Sequence, residues 1–393
     1  MNMRKDLQRL VALCWFSVAF VAAFANDGIY STSGNQLLPL VETDIHVWRE
    51  VLTLSWGEDR TADVDVYYAY YNPGKERTVL MGFEADPPMY MDSLDLNGAH
   101  PGISDFTVTM NNKPLPVFTS IVRADTLFVS NGKVQALDLS QYEIDEARSG
   151  GYLWNPQIND GVSIAFVYHF NATFKPGFNI VRHHYRYRMS DSAYSYYQLD
   201  YKLSPALRWA KGKIGDFTLR IKTRDVPLHF MMKDSVFQRS VKPTVTGTGK
   251  WRRRTIMSGN GSDNDLMDVV EVFLRNATIE YKVTDFRPGS ELRIFSADCT
   301  ETSVISMPTD YCAFRYNLLY DYPLTSRMYR IVRNLPFAYR GYVFKTEALA
   351  RFFGTRWWYV PDPDYRATLE SLTPEEREWL KLFEERAKSL IRR

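Results

Sequence analysis

What most restricts the fold of this chain is a repeated alternation between short stretches of aromatic and β-branched residues and small clusters of turn residues. The stretches His46–Trp56 (HVWREVLTLSW), 64–71 (VDVYYAYY), 106–110, 164–170, 181–189 and 217–221 are set apart by turn signals such as Asn72-Pro73-Gly74, Asn111-Asn112, Ser130-Asn131-Gly132 and Lys175-Pro176-Gly177. Flat or branched side chains pack well on a pleated surface, while glycine, proline and asparagine supply the backbone angles of tight turns. Aromatic residues make up 15% of the chain, which favours the same architecture. No helical period persists before residue 320 and no strand-helix alternation points to a parallel sheet. The expected fold is therefore mainly β, with one or two antiparallel β-sandwich domains and a small α-rich domain at the end.

At 393 residues the chain has room for two or three cores. Asp105-Phe106-Thr107 returns 111 residues later as Asp216-Phe217-Thr218, and Phe174-Lys175-Pro176-Gly177 returns after 112 as Phe286-Arg287-Pro288-Gly289. That interval suits one sandwich, so the expected division is a leader over 1–25, a sandwich over 26–200, a second over 201–318 and a helical domain over 319–393. The basic run at 250–264 (KWRRRTIMSGNGSDN) reads as an exposed loop.

The first 25 residues carry Arg4, Lys5 and Arg9, then an uncharged apolar run, then Ala23-Phe24-Ala25, the three parts of a secretory signal. Small side chains at Ala23 and Ala25 place the expected cleavage before Asn26, with no membrane span left afterwards. Without this leader the 48 Lys+Arg and 46 Asp+Glu residues balance at 45 each. A neutral chain has no global basic field for nucleic acid, so partners are expected among envelope polymers or proteins. Export places Cys299 and Cys312 where disulfides persist, and a Cys299–Cys312 bridge is expected. Neither cysteine has zinc-ligand spacing, and no metal or cofactor is expected.

Beyond Tyr320 the pattern becomes helical. Thr373-Pro374-Glu375-Glu376 supplies a capping hydroxyl, a first-turn proline and a third-position carboxylate, so a helix is expected from there towards Ile391. A shorter helix is expected over 347–353, capped by Thr346 and ended by Gly354, and another before Pro336. The run from Arg333 to Phe344, followed by Trp358-Tyr359-Val360-Pro361, resembles the YARHG domain through Arg333, Asn334, Phe337, Ala338, Gly341, Tyr342, Phe344, Trp358, Tyr359 and Pro361. The resemblance covers about 322–390 and implies a small, mostly helical, extracytoplasmic module of bacteria. Tyr339 and Arg340 stand where that family usually shows Arg and His. The β-rich part resembles exported proteins of Bacteroidetes-type bacteria through Asn26-Asp27-Gly28-Ile29-Tyr30, Gly34-Asn35-Gln36-Leu37 and Glu42-Thr43-Asp44-Ile45.

The sequence contains no nucleophile elbow, zinc-protease helix motif or phosphate loop. The strongest candidate surface is one strand on which Arg182, His184, Arg186 and Arg188 alternate with Val181, His183, Tyr185 and Tyr187. Its basic face could meet an anionic polymer, or pair with nearby acids. The acids Asp63-x-Asp65 and Glu42-x-Asp44 fall on single strand faces. Taken together, the residues point to a non-enzymatic envelope protein that binds or scaffolds, with the YARHG-like helical module as its interaction or docking unit. The alternative is an envelope carbohydrate or peptide hydrolase whose site no motif reveals.

Overall fold

The computed structural model describes residues 33–35, 38–40, 43–57, 61–87, 97–144, 151–189, 197–223, 226–257, 266–296 and 325–391. Ala23, Ala25, Glu42, Cys299 and Cys312 lie outside these residues. Among the described residues, strands predominate from Ser33 to Ser296 and α-helices from Ser326. It is thus mainly β with a small C-terminal helical module.

Among the described residues the strands form two main sheets, of twelve and six strands. In the smaller sheet the long strand Asp160–Phe174 pairs with Arg77–Ala85, Phe118–Arg123 and Tyr152–Asn155. The larger sheet has two wings. One runs through Ile214–Lys222, His46–Trp56, Thr61–Asn72, Gly177–Arg188 and Ile103–Met110; the other through Leu228–Lys233, Leu292–Ser296 and Gln198–Lys202. They meet on the 21-residue strand Leu266–Phe286, whose residues 278–286 pair with the first wing and 269–274 with the second, while Thr244–Met257 lines its other edge.

The two sheets face each other across aromatic side chains. Phe83 of the smaller sheet lies 5.1 Å from Phe106 and 5.0 Å from Tyr185 of the larger, and Tyr168 stacks on Phe106 at 4.5 Å. One continuous apolar cluster extends from Ile45 to Ile294. The boundary expected near residue 200 therefore falls between strands that share a sheet and a core. Among the described residues two pairings are parallel, that of His46–Trp56 with Ile214–Lys222 and that of 33–35 with 200–202. Parallel neighbours need a long crossover. Here that connection is the rest of the sandwich, which leaves no helical trace in the sequence.

Of the basic run expected as a loop over 250–264, residues 250–257 form a strand instead, since Thr244–Met257 pairs along Leu266–Phe286, and 258–264 lie outside the described residues. Its charges have partners on both faces. Arg252 and Arg254 reach Glu271, whereas Arg253 reaches Asp234 at 2.8 Å. Clustered arginines read as solvated only when their acceptors, distant in sequence, go unseen.

Among the described residues the α-helices are Ser326–Arg333, Leu335–Tyr339, Glu347–Gly354 and Pro374–Ile391. Pro336 sits in the first turn of the second helix, where no intrahelical N–H is needed. At the last helix the capping box forms in both directions: Glu376 N–H donates to Thr373 Oγ1 at 3.1 Å, and Thr373 N–H donates to Glu376 at 2.8 Å. Thr346 occupies the cap position of its helix but makes no side-chain capping bond, and Thr355 follows Gly354 as the C-cap.

The module packs on the outer face of the sheet. Along Leu266–Phe286, Val270, Val272 and Leu274 enter the sandwich core, while Phe273 joins the apolar cluster of the helices. Side chains alternate across a strand, so a stretch buried on both faces, 269–275, marks where the module lies.

Candidate functional site

The strand Gly177–Arg188 presents the expected alternation. Val181, His183, Tyr185 and Tyr187 are buried, whereas Arg182, His184, Arg186 and Arg188 face outward. The neighbouring strand answers this basic stripe residue by residue, with Tyr67, Asp65 and Asp63 opposite Arg182, His184 and Arg186. Asp65 lies 2.9 Å from His184, and Arg186 bridges Asp63 at 3.2 Å and Asp105 at 3.6 Å. Arg182 lies over the Tyr67 ring and donates to Asn112. Asp44, of the second acidic pair, holds Arg77 at 3.0 Å.

A different place concentrates backbone irregularities. A bulge lies between Val47 and Arg49, so that Trp48 drops out of the pairing with Thr61–Asn72. Gly215 faces the carbonyl of Trp48 so closely that a Cβ would stand 2.4 Å from that oxygen, and only glycine fits. Lys211 and Asp285 both adopt left-handed backbone, with φ of 71° and 51°. All four residues line one cleft of about 470 Å³, together with His46, Lys213, Asp216 and Thr284. Bulges re-aim side chains and left-handed residues store strain, and both cluster where a fold presents ligand-contacting groups.

The charges in this cleft are paired across it. Lys213 holds Asp285 at 2.7 Å, and this hydrogen bond keeps the Asp285 carboxyl below its ordinary range. Lys211 Nζ lies 3.1 Å from His46 Nε2. Burial, reinforced by the Lys211 charge, lowers the His46 pKa, so a neutral imidazole accepts from the ammonium. Beside this polar floor stands an aromatic wall. Trp48 is 49% exposed and Phe178 58% exposed, with ring centroids 5.6 Å apart, and Phe178 meets Tyr71 at 5.2 Å. Sequence reasoning missed this site, because its residues come from 46–48, 178, 211–216 and 284–285. The trace it leaves in the sequence is the run Lys211-Gly212-Lys213-Ile214-Gly215, two glycines among lysines just where a strand starts.

In the helical module the singled-out residues hold each other and the sheet. Phe337, Ala338, Phe344 and Trp358 are buried in the module core. Arg333 pairs with Glu384 at 2.7 Å, and the Asn334 side chain donates to the Arg330 carbonyl at 2.7 Å. Gly341 has φ of 88°, and Tyr359 donates to the Tyr342 carbonyl at 2.7 Å. Pro361 follows Val360, whose carbonyl accepts from Arg275 of the sheet at 3.0 Å. Residues 324–387 match the YARHG domain.

At Tyr339 and Arg340, two of the positions where this YARHG domain departs from its family, both side chains are committed. Arg340 makes a buried bidentate pair with Glu376 at 2.8 and 2.6 Å. Tyr339 stacks on Trp358 at 4.0 Å and contacts His229 of the sheet, with 3.2 Å between its hydroxyl and Nδ1. His229 continues to Glu271, and Arg252 of the same network lies over the Trp357 ring at 4.6 Å. The YARHG domain is thus fixed to the sheet by a polar chain as well as by Phe273.

No curated protein matches the chain in sequence. Among solved structures, a candidate nutrient binding protein from Legionella pneumophila is similar at 18% identity with a TM-score of 0.47, over 90% of this chain and 98% of the other. A candidate protease from Parabacteroides distasonis is similar at 7% identity with a TM-score of 0.24, over 65% of this chain and 41% of the other. Among the described residues no helix is long and apolar enough to cross a membrane, and no cluster of His, Cys, Asp and Glu could hold a metal ion.

Proposed function

We propose that this chain is a non-enzymatic binding protein of the bacterial cell envelope, exported by its leader, in which the β body carries the ligand site and the YARHG domain braces the sheet behind it. The observation that carries this reading is the convergence of a bulge, a glycine-dependent close approach and two left-handed residues on one cleft with an exposed aromatic wall. Strain costs of order 1 kcal/mol per residue, and a fold retains it where side-chain placement matters.

Asp216 and Asp285 line the same cleft, which bears on the hydrolase alternative. Asp285 is held ionised by Lys213, which suits it to accept a hydrogen bond from a hydroxyl and makes it a poor proton donor.

Two measurements test the reading. Amino-terminal sequencing of the protein recovered from a cell-envelope fraction should begin at Asn26; an intact leader on cytosolic material removes the export half. The full chain, immobilised, should retain an envelope component that Trp48→Ala and Phe178→Ala release. Equal retention by these variants removes the cleft.

A further inference from the structure

Resting on the cleft as the ligand site, we propose that its ligand is a neutral carbohydrate, a pyranose stacked on the Trp48–Phe178 wall with its hydroxyls over the Lys211 and Asp285 floor. Three features of the cleft lead there.

The first is the wall. Trp48 and Phe178 meet edge to face at 84°, and Tyr71 continues the surface 5.2 Å from Phe178, with the buried His46 ring 5.3 Å from Tyr71 beneath it. Large aromatic side chains about half exposed, side by side at the rim of a cleft, leave apolar surface in water. A sugar ring offers such faces a flat array of C–H groups. Because the cleft is open, an extended chain can lie along it with one ring on the wall.

The second is the mixed sign of the floor. A sugar hydroxyl both donates and accepts, and is best met by donors and acceptors together. Lys211 has three ammonium protons and directs one at His46. Asp285 gives one oxygen to Lys213 and is largely exposed, and Asp216 adds a second carboxylate nearby. Ionised partners of this kind strengthen hydrogen bonds to neutral hydroxyls.

The third is balance. Two lysines face two aspartates in the cleft, and His46 is held neutral by burial beside Lys211. An anion site would need excess positive charge, whereas the Lys213 charge is already spent on Asp285. A neutral polyol loses nothing to this arrangement.

The test is an array of neutral and acidic glycans probed with the full chain, followed by calorimetry on the strongest neutral tetrasaccharide and on tetragalacturonate. The expected result is binding of a neutral glycan, about tenfold weaker or more in Trp48→Ala, equivalent to roughly 1.4 kcal/mol, and nearly constant from low to high salt. The Phe178→Ala variant should weaken it too, and Phe118→Ala, at an exposed ring outside the cleft, should not. Stronger binding of tetragalacturonate, or a steep loss with salt, overturns the neutral class. Absence of any glycan binding overturns the carbohydrate, and if the envelope component is then still released by Trp48→Ala, the cleft itself survives. Glycan binding indifferent to both aromatic substitutions overturns the cleft as well. Circular dichroism of each variant separates loss of binding from loss of fold.

Discussion

His229 Nε2 lies 2.9 Å from Glu271 Oε1, and both side chains are buried where the YARHG domain meets the sheet. Glu271 also accepts from Arg252 at 2.7 Å and from Arg254 at 3.3 Å, and His229 passes the connection to Tyr339. One carboxylate thus answers three cationic or polar groups from two strands. Burial alone would push its pKa up; hydrogen bonds and charge from His229 and Arg252 outweigh that and bring it down to about 2.

Removing this carboxylate takes away a buried acceptor that two arginines and a histidine share. Glu271→Ala should therefore cost about 3 kcal/mol or more, read as a lower urea midpoint. Its folded pKa is depressed, so its contribution is present above the ordinary value of 4.5 and lost as pH falls towards 2. The acid limb of the stability curve should flatten in this window in Glu271→Gln. An unchanged limb would sink the assignment.

Two buried histidines act at milder pH. Burial lowers His183 to about 3, with His184 adding to the effect, and lowers His100 to about 4 against the upward pull of Asp86. Both are neutral in the fold, while in the unfolded chain they gain a proton below about 6.5. Their contribution is thus full above 6.5 and declines as pH falls towards these lowered values. Among the described residues neither ring nitrogen of His183 has a hydrogen-bond partner, and the ring sits among Tyr68, Phe83, Phe106 and Tyr185. His183→Leu should remove roughly one proton's slope, about 1.4 kcal/mol per pH unit, between pH 6 and 4, measured by denaturant titration at each pH.

Arg340 and Glu376 are each 7% exposed at the side chain, and the pair is bidentate. Arg340→His, which restores the letter usual in the family, cannot span both oxygens and should cost about 3 kcal/mol. Thermal unfolding of the full chain checks this. A melting temperature equal to the parent's would show that the pair contributes nothing.

Gly341 separates two explanations for a glycine. With φ of 88°, an added Cβ would stand 2.2 Å from Arg275 Nη1 and 2.7 Å from the Val360 carbonyl oxygen. Gly341→Ala should destabilise by about 2 kcal/mol or more. By contrast, nothing lies within 4 Å of the corresponding position at Gly354, which closes a helix. Gly354→Ala should be neutral or gain up to about 1 kcal/mol. Comparable losses at both sites would refute the steric account.

Local signals in the sequence were reliable where the physics is local. The strand His46–Trp56 and the start of the last helix at Pro374 follow from side-chain stiffness and from a capping box closed within four residues. The alternation of the Arg182–Arg188 stripe likewise needs only a period of two. The run at 250–264 reads locally as a loop, whereas its part over 250–257 is a strand whose acceptors, Asp234 and Glu271, are supplied by other segments of the chain.

By itself, then, the chain's order of residues determined the mainly β body, the helical close and the YARHG resemblance. All three rest on contacts or patterns spanning a few residues. Only the tertiary structure decided that both halves share one sheet and core, that Glu271, Phe273 and Arg275 face the YARHG domain, and that Trp48, Lys211 and Asp285 meet at one cleft with Phe178 packed against Trp48 beside it. The physical reason is that strand pairing joins segments at any separation, and the bulge at Trp48 and the left-handed turns at Lys211 and Asp285 take their purpose from neighbours that no local pattern encodes.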